Sequence, residues 1–525
     1  VHGLYRLRNT GMKKRIVASL AGLLLLSACS ASSLPNPMRN LGQGNAGPVN
    51  TEMEPTRTPA PPRTPMPSAA TAAPAQTPSA QNSTQAGARA TQYDLCSVVK
   101  PDIAAVKPAL PDSSGQIVFV TTDGNIALTD VTGRSRIDIT SDAYISEDRQ
   151  AGLLYQFPTF SSDGKTIAFV GLSTVAEFDG VTQTVHIAPA VNGSTVTSLF
   201  ATSEFGIPYL DFSPDGQQVA FLTINPRGAA VRVVSSAGGD ATVFESGNPM
   251  YWHWRRDSSA LLTHFNGRAE QSGDASMTVV DVKGANEISR QQIDALPGAF
   301  QAPHYAPDGR HMLYVANAGG QDELVLADAA GKPLCAVMPI DNNAYFAWSP
   351  DGGRVAVMDT ERPVELPAPV IVHDFGTGSG RMVQESASAF FWSPDGSRLA
   401  TYRLVSDAPQ RANSEDRSNN VRINAPAQQN ERIALRIEVI DIATGQVTRV
   451  ADVLPPQQFA QYLQFFDQYS RAVSPWSADG RHMVFTSVVP DNATADIAVA
   501  TFNPAQTAPD VKRIAAGVVA FWSPR

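Results

Sequence analysis

Three side chains that can ligate a metal or move protons each stand one place before an aromatic residue: Asp211 before Phe212, His253 before Trp254 and His304 before Tyr305. A carboxylate with two imidazoles is a minimal set for holding a divalent cation. A neutral imidazole also exchanges protons near neutral pH. The three lie far apart along the chain, so only a repeating fold brings them together. At the same place in other copies of the pattern stand Thr159, Ala347, Phe391, Pro475 and Phe521. The position therefore packs or faces solvent as readily as it binds, and satisfied structural histidines are the competing reading.

Other catalytic constellations are missing from the chain. No G-x-S-x-G string occurs, and the nearest, Gly376-Thr-Gly-Ser-Gly380, has the wrong spacing and reads as a hairpin turn. A Gly-rich phosphate loop, paired zinc cysteines and H-E-x-x-H are absent as well. The sequence thus points away from an enzyme and calls for no cofactor. With 49 Asp and Glu against 40 Lys and Arg, its formal charge is -9, which gives no bulk attraction to nucleic acid.

What positions the three residues is a recurring phrase. FPTFSSDGKTIAFV (157–170), YLDFSPDGQQVAFL (209–222), YAPDGRHMLYV (305–315), FAWSPDGGRVAVM (346–358), FFWSPDGSRLATYR (390–403) and PWSADGRHMVF (475–485) are near-copies. In Ser-Pro-Asp-Gly the Pro presets φ at the first central position of a turn, Asp suits the second, and Gly accepts φ > 0. Alternating apolar runs follow, as in GQQVAFLT, and further Gly turns lead to a third and a fourth strand. Four strands in roughly 45 to 50 residues match a propeller blade.

The turns fall at Asp163-Gly164, Asp215-Gly216, a degenerate Asp257-Ser258, Asp308-Gly309, Asp351-Gly352, Asp395-Gly396 and Asp479-Gly480. An eighth unit is split between VVAFWSPR at the end and DSSGQIVFVTTDGNIALTD near the start. Sharing one blade between the two ends leaves no open sheet edge. The expectation is an all-β, eight-bladed β-propeller of four-stranded antiparallel blades, closed by pairing of N- and C-terminal strands, with seven blades as the alternative. The aromatics at the repeat position, Phe160, Phe212, Trp254, Tyr305, Trp348, Trp392, Trp476 and Trp522, are expected to fill the wedge between neighbouring blades.

Ahead of the ring, Met12 to Cys29 has a basic head, an apolar stretch and a small-residue site, the pattern of an export signal. Its last four residues, Leu26-Ser27-Ala28-Cys29, resemble the lipobox of bacterial lipoproteins, which implies lipidation at Cys29 and a membrane anchor. Residues 1–28 read as the signal with an upstream extension. Residues 29–94 read as the lipidated start plus a Pro/Ala/Thr/Ser-rich linker whose composition favours disorder. The propeller is assigned to 95–525.

The WSPDG hairpins resemble the repeats of the TolB-type β-propellers, a superfamily that also includes the propeller domains of prolyl oligopeptidase and dipeptidyl peptidase IV relatives. The resemblance covers about Ser113 to Arg525 and implies a ring of blades. Some propeller enzymes, such as the oligogalacturonate lyases, hold a metal with histidines near the axis, which is the analogy for Asp211, His253 and His304.

Cys96 and Cys335 are a possible disulfide in an exported protein. The stretch 455–472, with Phe459, Tyr462, Phe465 and Phe466 at near-helical spacing, reads either as a partner-binding surface element or as a cap packed on the ring. The polar, Pro-rich stretch from Ser406 to Asn430 reads as an inserted, solvated loop. Three functions follow as expectations. The first is a monomeric, lipid-anchored binding module for an envelope protein or peptide, exposed on the periplasmic or extracellular side. The second is a metal-dependent enzyme acting on polysaccharide at the propeller axis. The third is a spacer between envelope layers.

Overall fold

The structure, a computed structural model, describes residues 93–525 except 104, 148–150, 176–177, 268–272, 283–287, 300, 408–431, 490–493 and 504. The export signal, Cys29, the linker and nearly all of the 406–430 insertion therefore lie outside the described residues.

Eight antiparallel sheets form the ring. Blade 1 runs from Tyr144–Ile145 through Gly152–Phe160 to Thr197–Thr202, and blade 2 from Gly206–Phe212 to Thr242–Ser246. Blade 3 runs from Met250–Trp254 to Arg290–Gln292, blade 4 from His304–Tyr305 to Pro333–Ile340, and blade 5 from Ala344–Trp348 to Ser379–Ala387. Blade 6 spans Ala389–Trp392 to Val447–Val453. Blade 7 comprises His482–Val489, Thr494–Thr501 and Asp510–Ala516, with the Trp476–Met483 bridge marking its inner edge. In blade 8 the last strand of the chain, Val519–Trp522, lies against Ile117–Val120 with Ile117 opposite Trp522 and Val118 opposite Phe521. The ring closes through its two extremities, as the split repeat requires, and eight is the blade count.

The turn chemistry repeats as the sequence writes it. In blade 2 the Ser213 hydroxyl donates to Asp215 Oδ1 at 2.6 Å and accepts the Gln218 N–H at 3.0 Å, while Gly216 takes φ +71°. Ser161–Asp163, Ser393–Asp395 and Ser477–Asp479 repeat the pair at 2.6 to 2.7 Å. Each motif thus satisfies its own tight turn. The turns also touch their neighbours: Ser162 donates to the Pro214 carbonyl, and Ser258 Oγ accepts the Asp215 N–H.

All eight repeat aromatics are buried. Several reach across the gap between blades. Trp254 bonds to Asp211, Trp392 to the Ala347 carbonyl and Trp476 to the Phe391 carbonyl, each in the preceding blade and each one place before that blade's own aromatic. The indole therefore fills the wedge with its ring and ties the inner strands with its N–H.

Two features depart from simple repetition. Blade 1 has a fifth strand, Tyr144–Ile145, on the inner edge of Gly152–Phe160. More consequential is the stretch after blade 6, which forms two short helices, Gln457–Gln464 and Phe466–Tyr469. The first buries Phe459, Tyr462 and Leu463, and every residue of the second is buried. Their rings meet inner-strand rings on several sides: Tyr462 on Phe521 at 4.8 Å, Tyr469 on Tyr209 at 5.2 Å, and Phe466 on Phe390 at 4.7 Å and Tyr345 at 5.9 Å. This element is a plug through the axis. Of the two readings of 455–472 the packing on the ring is the one that holds, and it falls at the axis, because eight converging inner strands leave a central space that aromatic area fills.

The chain ahead of blade 8 straps one end of the ring. Cys96, in a single helical turn Cys96–Val99, is joined to Cys335 in the outer strand of blade 4. From there Val106 N–H bonds the Asp351 carbonyl, Arg481 bonds the Asp112 carbonyl, and Ala478 N–H bonds the Ser114 carbonyl.

Candidate functional site

Inner strands run in one direction along the axis, so the residue before each repeat aromatic comes out near the same end. That end holds a cavity of about 710 Å³. Asp211, His253 and His304, from blades 2, 3 and 4, all line it, together with the plug residues Ser470 to Ser474 and Val106 and Pro108 of the strap. Blade geometry has gathered three residues that the sequence keeps far apart.

Their partners decide what they can do. Asp211 is almost wholly buried, and its Oδ1 accepts both the Trp252 indole at 3.0 Å and the Trp254 indole at 3.1 Å. Tyr209 approaches Oδ2 at 3.4 Å. Burial pushes the Asp211 carboxyl up to about 7, against the pull of the two indoles and the Arg471 charge. His253 and His304 meet edge to face, ring centres 4.3 Å apart. His253 Nδ1 accepts the Tyr305 backbone N–H at 2.8 Å, so its neutral ring carries the proton on Nε2. His304 bonds the Phe346 backbone, and its Nδ1 has no partner among the described residues. Burial, then the Arg471 charge, holds both imidazoles well below their usual range, so both are neutral.

The plug supplies the groups that the motif reading missed. Arg471 Nη1 donates to the Trp252 carbonyl at 2.7 Å and Nη2 to the Ala302 carbonyl at 2.8 Å. Gln468 Nε2 reaches the same Trp252 carbonyl at 3.1 Å. Burial raises the Asp467 carboxyl to about 6, opposed by Arg471. The aromatic spacing of 455–472 announced a helix, but its polar positions, Asp467, Gln468 and Arg471, carried no signal of their own. Only the plug's place in the axis turns them toward blades 3 and 4.

A fixed guanidinium, two neutral imidazoles and a carboxyl titrating near neutrality form a polar wall suited to hydrogen-bonding a ligand. They do not converge as a metal ligand set. One Asp211 oxygen is committed to two indoles, one His253 nitrogen to an amide, and among the described residues no three His, Cys, Asp or Glu are grouped to hold a metal ion. Among those residues, too, no helix is long and apolar enough to cross a membrane.

Repeat chemistry and ring closure together define the class: an eight-bladed β-propeller. No family model matches the chain. An uncharacterized protein of Agrobacterium fabrum, Atu1656, is 24% identical over 220 residues, which is 40% of this chain and 68% of that protein. Among solved structures, TolB from Acinetobacter baumannii is similar at 17% identity over 52% of this chain and 64% of that one, TM-score 0.32. This chain therefore spans somewhat less than two thirds of that TolB's length. An oligogalacturonate lyase in complex with manganese is 14% identical over 77% of this chain and 97% of that one, TM-score 0.42. The dihydro-heme d1 dehydrogenase NirN is 13% identical over 84% of this chain and 83% of its own, TM-score 0.46.

Proposed function

We propose that this protein is an exported, lipid-anchored binding module whose propeller takes a protein or peptide of the cell envelope at the mouth of its axis. The observation that carries the reading is the mouth cavity itself. It is of ligand size, rimmed by the proline turns of several blades, and floored by the half-buried polar group of His253, His304 and Arg471. The export signal and Cys29 supply the anchor, and the linker gives the ring reach from the membrane.

A photo-crosslinking amino acid placed at Ser162 or Pro307, on the rim, tests it in intact cells. One discrete protein adduct from the rim, absent from an exposed position such as Val175 at the other end of blade 1, is the expected outcome. Equal labelling from both positions overturns the mouth as the docking place. Fractionation of a Cys29→Ala form checks the anchor separately: the wild type stays with membranes and the variant leaves them.

The second reading, a polysaccharide-active metalloenzyme, has in its favour that Asp211, His253 and His304 face one cavity, and against it the hydrogen bonds that already commit an Asp211 oxygen and a His253 nitrogen. Metal analysis of the purified protein, with and without His304→Ala, decides it. Stoichiometric metal lost in the variant supports that reading, and no metal in either sample ends it.

A further inference from the structure

At the opposite end of the axis the plug leaves a second hollow, a groove of about 400 Å³ beside blade 1. Its lining is mostly apolar, from residues such as Val120, Leu154, Phe157, Tyr462 and Val519. Amides of the plug, Gln457, Gln458 and Gln461, stand along one side.

Three observations fall on this groove: a strained backbone, an unpartnered amide and an open strand edge. Phe157 holds φ +55°, a left-handed conformation that a bulky residue rarely adopts, at a break in the pairing between Gln156 and Thr159. Strain of this kind persists where surroundings enforce it, and it clusters at functional sites. The Gln156 amide Nε2, also in the lining, is buried without a partner among the described residues. The extra strand of blade 1, Tyr144–Ile145, ends its sheet at the groove's edge and leaves Tyr144 50% and Ile145 37% exposed. Its pairing shows which backbone groups face away from the sheet: Ser146 N–H bonds the Ala151 carbonyl, so by the alternation of an antiparallel ladder the N–H and C=O of Ile145 point outward.

Among the described residues the charge at the groove has one sign. Asp123 lines it, Asp142 accepts the hydroxyl of the lining Tyr155 at 3.0 Å, and no Lys or Arg is among those lining it. An open strand edge supplies main-chain hydrogen bonds, an adjoining apolar hollow takes one large side chain, and a carboxylate at the rim favours a neighbouring cation. From these we infer that the groove docks an extended segment of a partner protein, carrying an aromatic or large aliphatic side chain beside a basic residue and pairing with the Tyr144–Ile145 edge. This site is separate from the mouth cavity and does not depend on the function given to it.

The test uses the full chain and fluorescein-labelled pentapeptides read by anisotropy. Lys-Val-Phe-Val-Lys is compared with Glu-Val-Phe-Val-Glu and with a copy of the first methylated on its central backbone nitrogens. The expected result is binding of the lysine peptide at least tenfold tighter than either other peptide. The preference should shrink to less than threefold in Asp123→Lys, and binding should weaken at least tenfold in Ile145→Asp. Arg256→Ala, at the far mouth, should leave both unchanged. Equal affinity for the three peptides, or affinity untouched by Asp123→Lys and Ile145→Asp, overturns the proposal. Should Ile145→Asp not fold, a benzophenone in place of the peptide's phenylalanine reads the site in the wild type. Adducts within 143–157 or 457–462 support the groove, and adducts elsewhere overturn it.

Discussion

The indole N–H of Trp254 in blade 3 ends on Oδ1 of Asp211 in blade 2, 3.1 Å away, and Trp252 donates to the same oxygen. A carboxyl group that looked like a candidate ligand is thereby also an inter-blade fastener. Its burial raises its pKa to about 7, while an unfolded aspartate sits near 4.

That shift gives a pH signature. A carboxyl whose folded pKa is raised contributes stability that is full below the unfolded value and lost as pH rises through the folded one. Asp211→Asn keeps an acceptor for both indoles and removes the titration. Its stability relative to wild type should therefore climb between pH 4 and 7 and level off above. Chemical denaturation at a series of pH values reads it, and parallel curves for the two proteins contradict it.

Trp392 packs at the blade 5 to blade 6 wedge and donates to the Ala347 carbonyl at 3.1 Å. Trp392→Ala removes a large buried ring and that bond together, so the expected loss is about 3 to 5 kcal/mol of unfolding free energy. A change well under 1 kcal/mol in urea denaturation contradicts the wedge role.

Phe466 is fully buried against Phe390 and Tyr345. Phe466→Ala should likewise cost about 3 to 5 kcal/mol, a core-sized loss. If the stretch were a surface cap, the same substitution would leave the denaturation midpoint nearly unmoved.

The Cys96–Cys335 bridge closes a loop of 239 residues in sequence. Oxidised, denatured protein should show neither thiol to an alkylating reagent, and reduced protein should show both. Cys335→Ser should lower stability by about 2 to 5 kcal/mol and raise hydrogen exchange in residues 96–112, the strap that it fastens.

Local chemistry explains how much of this could be read from the residues. Each Ser-Pro-Asp-Gly turn is satisfied within five or six residues, as with Ser213, Asp215 and Gln218, so blade number and closure were visible in the repeats. Even the degenerate turn kept its geometry, with Ser258 at φ +60° where the other copies have glycine. The alignment of Asp211, His253 and His304 followed from register once the ring was assumed. What surrounds them did not. Arg471 and Gln468 bond to the Trp252 carbonyl more than two hundred residues away, a contact that exists only after the ring has closed around the plug. The aromatic face of 455–472 called for an apolar contact, with a partner or with the ring, and which of the two, and at what place on the ring, depended on the width of the axis. The fifth strand of blade 1 was missed because two residues, Tyr144–Ile145, are too few to show a period.

Closure of the ring by its last strand underlies the axis, the plug and both cavities, and hydrogen exchange followed by mass spectrometry measures it directly. Peptides covering Val519–Trp522 and Ile117–Val120 should be as protected as the inner strand Ala389–Trp392, opening only with the whole ring. Exchange of Val519–Trp522 within seconds, with Ala389–Trp392 still protected, would show the final strand unpaired and the ring open.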